Sequence, residues 1–240
     1  MNKVIIVGST SGIGLELAKN FYQNNYLVGI VGRRSELFLE IQKIIPTNVH
    51  FKRIDVSKTA EAMELLKELI NEMGGVDIVV ISSGIGFINP DLEWEKEKDT
   101  IDVNTSGFTA MANVAYNYFC TRGEGQIVGI SSIAAIRGSG SSPAYNASKA
   151  FVSNYLQGLR HKISRMKIPI IITDIQPGLV DTAMAQGEGL FWVSSPENAS
   201  QQIFNVIKSK KKHAYITKRW GIIAWILKII PDFIYNRLGT

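Results

Sequence analysis

The chain has 240 residues, 45% hydrophobic and 20% charged, an ordinary composition for one α/β domain that buries a sizeable core. The formal charge is +5, and the one basic cluster, Lys208, Lys210, Lys211 and Lys212, has no aromatic residues interleaved. It reads as a solvated helix end, which argues against a nucleic-acid face, and the single cysteine, Cys120, excludes an internal disulfide and fits a reducing, cytoplasmic setting.

The opening MNKVIIVGST has one basic residue and an apolar run too short for a signal peptide, so a first strand is expected there. Further β-rich runs follow at 27–31, 49–54, 76–81, 126–130, 168–175 and 214–217, after the first at 4–8. Most are apolar almost throughout, as in strands covered on both faces. Helical patterns separate them near 12–24, 35–45, 59–73, 99–121, 143–165 and 196–209. Ser142-Pro143 and Ser195-Pro196-Glu197 each place a capping hydroxyl before a proline at the first helical position. The alternation predicts an α/β, doubly wound parallel sheet of about seven strands flanked by helices on both faces. No linker or repeat interrupts it, so residues 1–240 read as one domain. Residues 220–234, WGIIAWILKIIPDFI, are apolar nearly all round but too short to span a bilayer. Burial against the core or a partner subunit is expected for this apolar C-terminal extension, 218–240, with peripheral membrane contact as the other use of such a surface.

The first strand runs into Gly8-Ser9-Thr10-Ser11-Gly12-Ile13-Gly14 and directly into a helix. Gly8 permits the tight turn, Gly12 lets backbone approach a pyrophosphate, and Gly14 lets the helix pack close to the sheet. The helix N-terminus then turns its free N–H groups and positive dipole end toward phosphate. At the end of the second strand, where an acidic residue would bond a ribose 2′-hydroxyl, stands Gly32, followed by Arg33 and Arg34. Guanidinium groups suit a 2′-phosphate, so NADP(H) is the expected cofactor, with Arg33 ahead of Arg34 as the main contact.

Tyr145 and Lys149 lie four apart at the start of a helical stretch and so share one face. An ammonium close to a phenol stabilises phenolate, which brings tyrosine toward useful acid–base chemistry. That spacing alone arises readily on any helix. Ser132, at the end of the strand before it, adds a hydroxyl that can position a substrate carbonyl beside the phenol.

Together these residues resemble the short-chain dehydrogenase/reductase family over roughly residues 3–205. The resemblance implies a Rossmann-type fold, an oxidoreductase acting on carbonyl or alcohol groups, and a homodimer or homotetramer built through the 99–121 and 143–165 helices. It assigns Ser132, Tyr145 and Lys149 as catalytic serine, acid–base tyrosine and lysine, with Lys149 also bonding the nicotinamide ribose. Asn104 is the catalytic asparagine that holds a relay water. Gly8 to Gly14, with Thr10, Ser11 and Ile13, form the glycine-rich turn, and Asp55-Val56 the adenine contact. Pro177, Gly178, Val180 and Thr182 hold the nicotinamide carboxamide. Two departures stand out: Val7 replaces the usual threonine, and Ile81-Ser82-Ser83-Gly84 replaces Asn-Asn-Ala-Gly, which predicts local rearrangement around Ser83 and Gly84 or weaker cofactor binding, but not its loss.

Residues 183–194 stand where that family has a variable substrate lid, with Gly187 and Gly189 as hinges. Phe191, Trp192 and Val193, with Trp220 and Trp225, either mark a lipophilic substrate or pack on the core or a subunit interface. Other chemistries find no support: the glycine turn carries Thr at the centre of what would be a nucleophile elbow, no NTPase phosphate loop is present, and His50, His161 and His213 are isolated, so no metal is expected. Two rivals share the fold. One is a non-catalytic NADP-sensing or scaffold protein, against which stand all four filled catalytic positions. The other is a nucleotide-sugar epimerase, which needs a larger C-terminal region.

Overall fold

The computed structural model describes residues 1–183 and 191–237. Seven strands, β1 (Lys3–Val7), β2 (Leu27–Gly32), β3 (Val49–Arg53), β4 (Ile78–Ile81), β5 (Gly125–Ile130), β6 (Ile170–Pro177) and β7 (His213–Ile216), form one sheet in the order β3-β2-β1-β4-β5-β6-β7. Every neighbouring pair is parallel. The chain reverses its direction of growth between β1 and β4, which leaves a crevice at their C-terminal ends.

Alternation along β1 explains the layers. Val4 and Ile6 face one cluster with Leu17 and Phe21 of α1 (Gly12–Gln23) and with Ile203 and Phe204 of α7 (Pro196–Lys208). Ile5 and Val7 face another with Leu66 of α3 (Thr59–Glu72), Phe108 of α5 (Phe108–Arg122) and Leu156 of α6 (Pro143–Met166). Both faces are covered, so the strands read as apolar runs rather than alternating ones. The helix expected from 35 opens as a 3-10 turn and becomes α2 at Phe38–Ile44.

Two expectations need correction, and a third is met only in part. The single helix expected over 99–121 begins earlier, as α4 (Trp94–Ile101), and reaches α5 through a π-helical turn, Asp102–Gly107. That turn brings Gly107 against Val56, with 2.8 Å from the Val56 carbonyl oxygen to a methyl group placed on the glycine, so tertiary packing sets the local pitch. Ser195 does cap α7, its hydroxyl accepting from the Asn198 N–H at 3.2 Å, but Ser142 makes no such bond at the start of α6 and its side chain lines the central cavity. The apolar tail forms α8 (Trp220–Ile229) and α9 (Asp232–Tyr235), and it is not sunk in the core. Trp220 and Ala224 are buried, whereas Trp225 is 63% and Phe233 65% exposed, because α8 packs on the edge strand β7 and no element among the described residues covers its outer face.

Candidate active site

A cavity of about 600 Å³ opens at the C-terminal ends of β1, β4 and β5, a size that suits an extended small molecule. Of the site residues named from sequence, all but Gly12, Asp55 and Asn104 line it.

At one end lies the glycine turn. Gly8 has φ of +86°, and a methyl group there would stand 2.5 Å from the Ser83 backbone nitrogen, so only glycine fits between the turn and the strand-β4 exit. Gly12 faces Thr182, whose methyl would be 3.3 Å from a side-chain carbon at that position. The substituted 81–84 segment keeps its sheet anchor, with Ser82 N–H donating to the Val7 carbonyl at 2.8 Å. The Ser83 hydroxyl is buried at the cavity wall and has no partner among the described residues. A buried hydroxyl without a partner fits a polar ligand more readily than an empty apolar cleft.

The end of β2 carries no carboxylate for a steric reason as well: a methyl group at Gly32 would come within 2.5 Å of Thr10 Cγ2. Arg33 and Arg34 both line the mouth of the cavity. Arg34 Nη2 donates to Ser11 Oγ at 2.7 Å and to Thr10 Oγ1 at 3.2 Å, which sets its guanidinium on the glycine turn. Asp55 stands off the wall; its Oδ1 accepts from the Ser57 N–H at 3.1 Å and hydroxyl at 2.7 Å, shaping the entry to α3, while Val56 lines the cavity.

At the other end, Ser132 closes β5 and Tyr145 and Lys149 rise one above the other on α6. Lys149 Nζ is 5.7 Å from the Tyr145 ring centroid and donates to the Ile130 carbonyl at 3.1 Å. Burial lowers the Lys149 ammonium to about 8, with the Asp174 carboxylate opposing. Burial raises the Tyr145 phenol, and the Ser132 hydroxyl pulls it the other way. Asn104, in the π turn, is buried and spends its amide on structure: Oδ1 accepts from Ile85 N–H at 2.9 Å, and Nδ2 donates to the Ile85 carbonyl at 2.7 Å and to Ser148 Oγ at 2.9 Å. Pro177, Gly178, Val180 and Thr182 form the wall beyond β6. Val180 bridges to Ser194, which fixes the far end of the lid segment. Residues 184–190, including the hinge glycines, lie outside the described residues.

Sequence reading missed two groups. Ile85, Phe87, Ile88 and Leu179 give the cavity its apolar wall, and the aromatics Phe191, Trp192, Trp220 and Trp225 are not part of it. The signal was an apolar GIGFI run just after a strand, where loops are usually polar. Asp174, 2% exposed, accepts from Ser131 Oγ at 2.5 Å and from Gln176 Nε2 at 3.3 Å. It is the one charge inside the apolar 168–175 run, which was the available clue.

A doubly wound parallel sheet with a glycine turn and a tyrosine–lysine pair at its switch point defines a nucleotide-dependent oxidoreductase fold. The family described as short chain dehydrogenase matches residues 2–190, and the chain belongs to the short-chain dehydrogenase/reductase family. An uncharacterised oxidoreductase of Mycobacterium tuberculosis is 29% identical over 248 residues, covering 99% of this chain and 97% of its own. Another, from Myxococcus xanthus, is 30% identical over 75% of this chain and 72% of its own. Among solved structures, a closed serine dehydrogenase complexed with NADP+ superposes with a TM-score of 0.77 at 25% identity, covering 85% of this chain and 88% of that one. A short-chain dehydrogenase from Sphingobium yanoikuyae, in complex with NADPH, has a TM-score of 0.79 at 20% identity over 97% of both chains, a likeness of fold. A 3-ketoacyl-(acyl-carrier-protein) reductase from Brucella melitensis, complexed with NADH, is similar in fold at 22% identity and TM-score 0.77, over 85% of this chain and 90% of its own.

Proposed function

We propose that residues 1–240 form one catalytic unit, an NADP(H)-dependent oxidoreductase acting on a lipophilic carbonyl or secondary alcohol. The observation that carries this reading is the cavity itself, with Ser132, Tyr145 and Lys149 on its inner wall and Arg33 and Arg34 at its mouth, where no carboxylate stands.

Each residue has a task suited to its surroundings. The Tyr145 phenol, raised by burial, is protonated at neutral pH and gives its proton to the carbonyl oxygen in reduction. Lys149 stabilises the phenolate left behind and reaches the ribose. Ser132 orients the carbonyl. Because the Asn104 amide is committed to Ile85 and Ser148, its part in holding a relay water falls to its backbone carbonyl in the π turn. Gly8 to Gly14 receive the pyrophosphate with the α1 N-terminus, Asp55 and Val56 the adenine, and Pro177, Gly178, Val180 and Thr182 the carboxamide. Ser83 supplies the unpartnered hydroxyl and Gly84 the close backbone. The bound cofactor supplies or accepts the hydride. Ile85, Phe87, Ile88 and Leu179 favour an apolar substrate. The single, partly buried Cys120 fits a cytoplasmic protein, and exposed Ile101, Phe151 and Met166 leave apolar surface on α4 and α6 for a homodimer or homotetramer.

NADPH oxidation against a panel of carbonyls tests the chemistry. Tyr145→Phe is expected to lose at least about a hundredfold in rate while still binding NADPH. Equal, measurable rates in both proteins would sink the role assigned to Tyr145, and no carbonyl-dependent oxidation by the native protein would leave the sensor or scaffold reading standing. Fluorescence titration tests the cofactor: NADPH is expected to bind more tightly than NADH, and Arg33→Ala, more than Arg34→Ala, to weaken NADPH by roughly ten- to a hundredfold with NADH unaffected. Tighter NADH binding by the native protein ends the NADP assignment.

A further inference from the structure

We propose that α8, α9 and residues 191–193 form a docking surface for an anionic lipid bilayer, independently of what the cavity reduces. Ile222, Trp225, Ile226 and Ile229 recur at i, i+3, i+4 and i+7, and all four are exposed. The buried anchors of the helix, Trp220 and Ala224, lie on its opposite side. α8 is therefore apolar both inward and outward, where a helix facing only water would be polar outward.

The patch is continuous with the lid. Trp220 stacks on Phe191 with ring centroids 5.3 Å apart and meets Trp192 edge-on at 6.3 Å. Phe191, Trp192 and Val193 are themselves exposed, and Phe233 and Ile234 extend the surface at the other end. Tryptophan and phenylalanine beside aliphatic residues are the composition that settles at a membrane interface.

Charge selects the occupant. Lys218, Arg219, Lys228 and Arg237 surround the patch, all exposed and in no ion pair among the described residues. Arg219 lies over the Trp192 ring at 5.2 Å, and Lys228 Nζ is 3.3 Å from the Tyr215 hydroxyl. The one acid from 213 to 237, Asp232, is neutralised by Arg137 at 2.7 Å. A second copy docked face to face about a two-fold axis would set these cations against their equivalents, whereas anionic headgroups complement them while the apolar stripe enters the acyl boundary. The Arg137–Asp232 pair and the Tyr235 hydroxyl, which donates to the Gly138 carbonyl at 2.7 Å, hold the far end of the surface in place.

The test is co-sedimentation of the full chain with vesicles. Binding is expected on equal parts phosphatidylcholine and phosphatidylglycerol, weaker on phosphatidylcholine alone, and reduced by salt. The double variant Trp225→Asp/Ile229→Asp changes only exposed side chains and is expected to lose at least about tenfold in partitioning while keeping NADPH affinity, which reports an intact fold. Lys218→Glu/Arg237→Glu is expected to remove the preference for anionic vesicles. Absence of binding to either vesicle, or equal partitioning by the native chain and the Trp225→Asp/Ile229→Asp variant, overturns the proposal. Sedimentation velocity without lipid supplies the remaining outcome: a native dimer that the same variant dissociates assigns the face to a second copy instead.

Discussion

At the scale of single residues, Lys149 and Asp174 decide how the site responds to pH. Burial pushes the lysine down and Asp174 resists that fall from behind Ser131, which together leave it at about 8. Arg160 and His213 share the field of the same carboxylate. In the proposed reaction the ammonium stabilises the Tyr145 phenolate, so kcat/KM for reduction is expected to hold through neutrality and fall above about pH 8 as Lys149 loses its proton. Asp174→Asn keeps the shape but removes the charge that supports the ammonium. Lys149 then loses its proton at lower pH, and the alkaline fall of kcat/KM moves to lower pH. A pH–rate profile whose alkaline limb stays in place in Asp174→Asn would show that Asp174 only holds Ser131. Gly32 illustrates the same economy: its missing side chain makes room for Thr10 and at the same time leaves the second strand without the acid that would repel a 2′-phosphate.

At the scale of elements, α1 and α7 together cover one face of the sheet. Phe21 is fully buried between the rings of Tyr26 and Phe204, at centroid distances of 4.9 and 5.0 Å. Phe21→Ala is expected to cost about 3–5 kcal/mol in urea unfolding, since the edge-on rings cannot collapse into the space. The same change leaves Tyr145 and Lys149 on α6 untouched, so activity at low temperature should survive while stability does not. The π turn at Asp102–Gly107 acts differently: it interrupts a continuous helical pattern to set Asn104 across from Ile85, and no periodicity in the sequence announces it.

At the scale of the molecule, the cavity spans the crevice between the β3-β2-β1 half of the sheet and the β4-to-β7 half. A ligand seated there would touch both halves of the sheet and would bind the folded state alone. NADPH at a hundred times its Kd is expected to raise stability by about 2.7 kcal/mol, or roughly 5–10 °C in melting temperature. A melting temperature unmoved by NADPH in differential scanning fluorimetry would contradict cofactor binding at this site.

The sequence by itself determined the strand runs, their order of alternation with helices, the glycine turn, and the residues most of which now line one cavity. Apolar continuity, glycine at a forced turn and fixed helical spacing are local properties, so they survive being read one residue at a time. Tertiary structure alone decided the rest. It broke the 99–121 helix with a π turn, left Ser142 without its cap, drew Asp174 behind Lys149, and decided between the two readings of the aromatics by lining the cavity with Ile85, Phe87, Ile88 and Leu179 and not with Phe191, Trp192, Trp220 or Trp225. It also turned the stripe of α8 outward. Each of these depends on which surfaces meet across the fold: composition tells that residues 220–234 are apolar, and only the arrangement of layers tells that Trp220 and Ala224 face the protein while Ile222, Trp225, Ile226 and Ile229 do not.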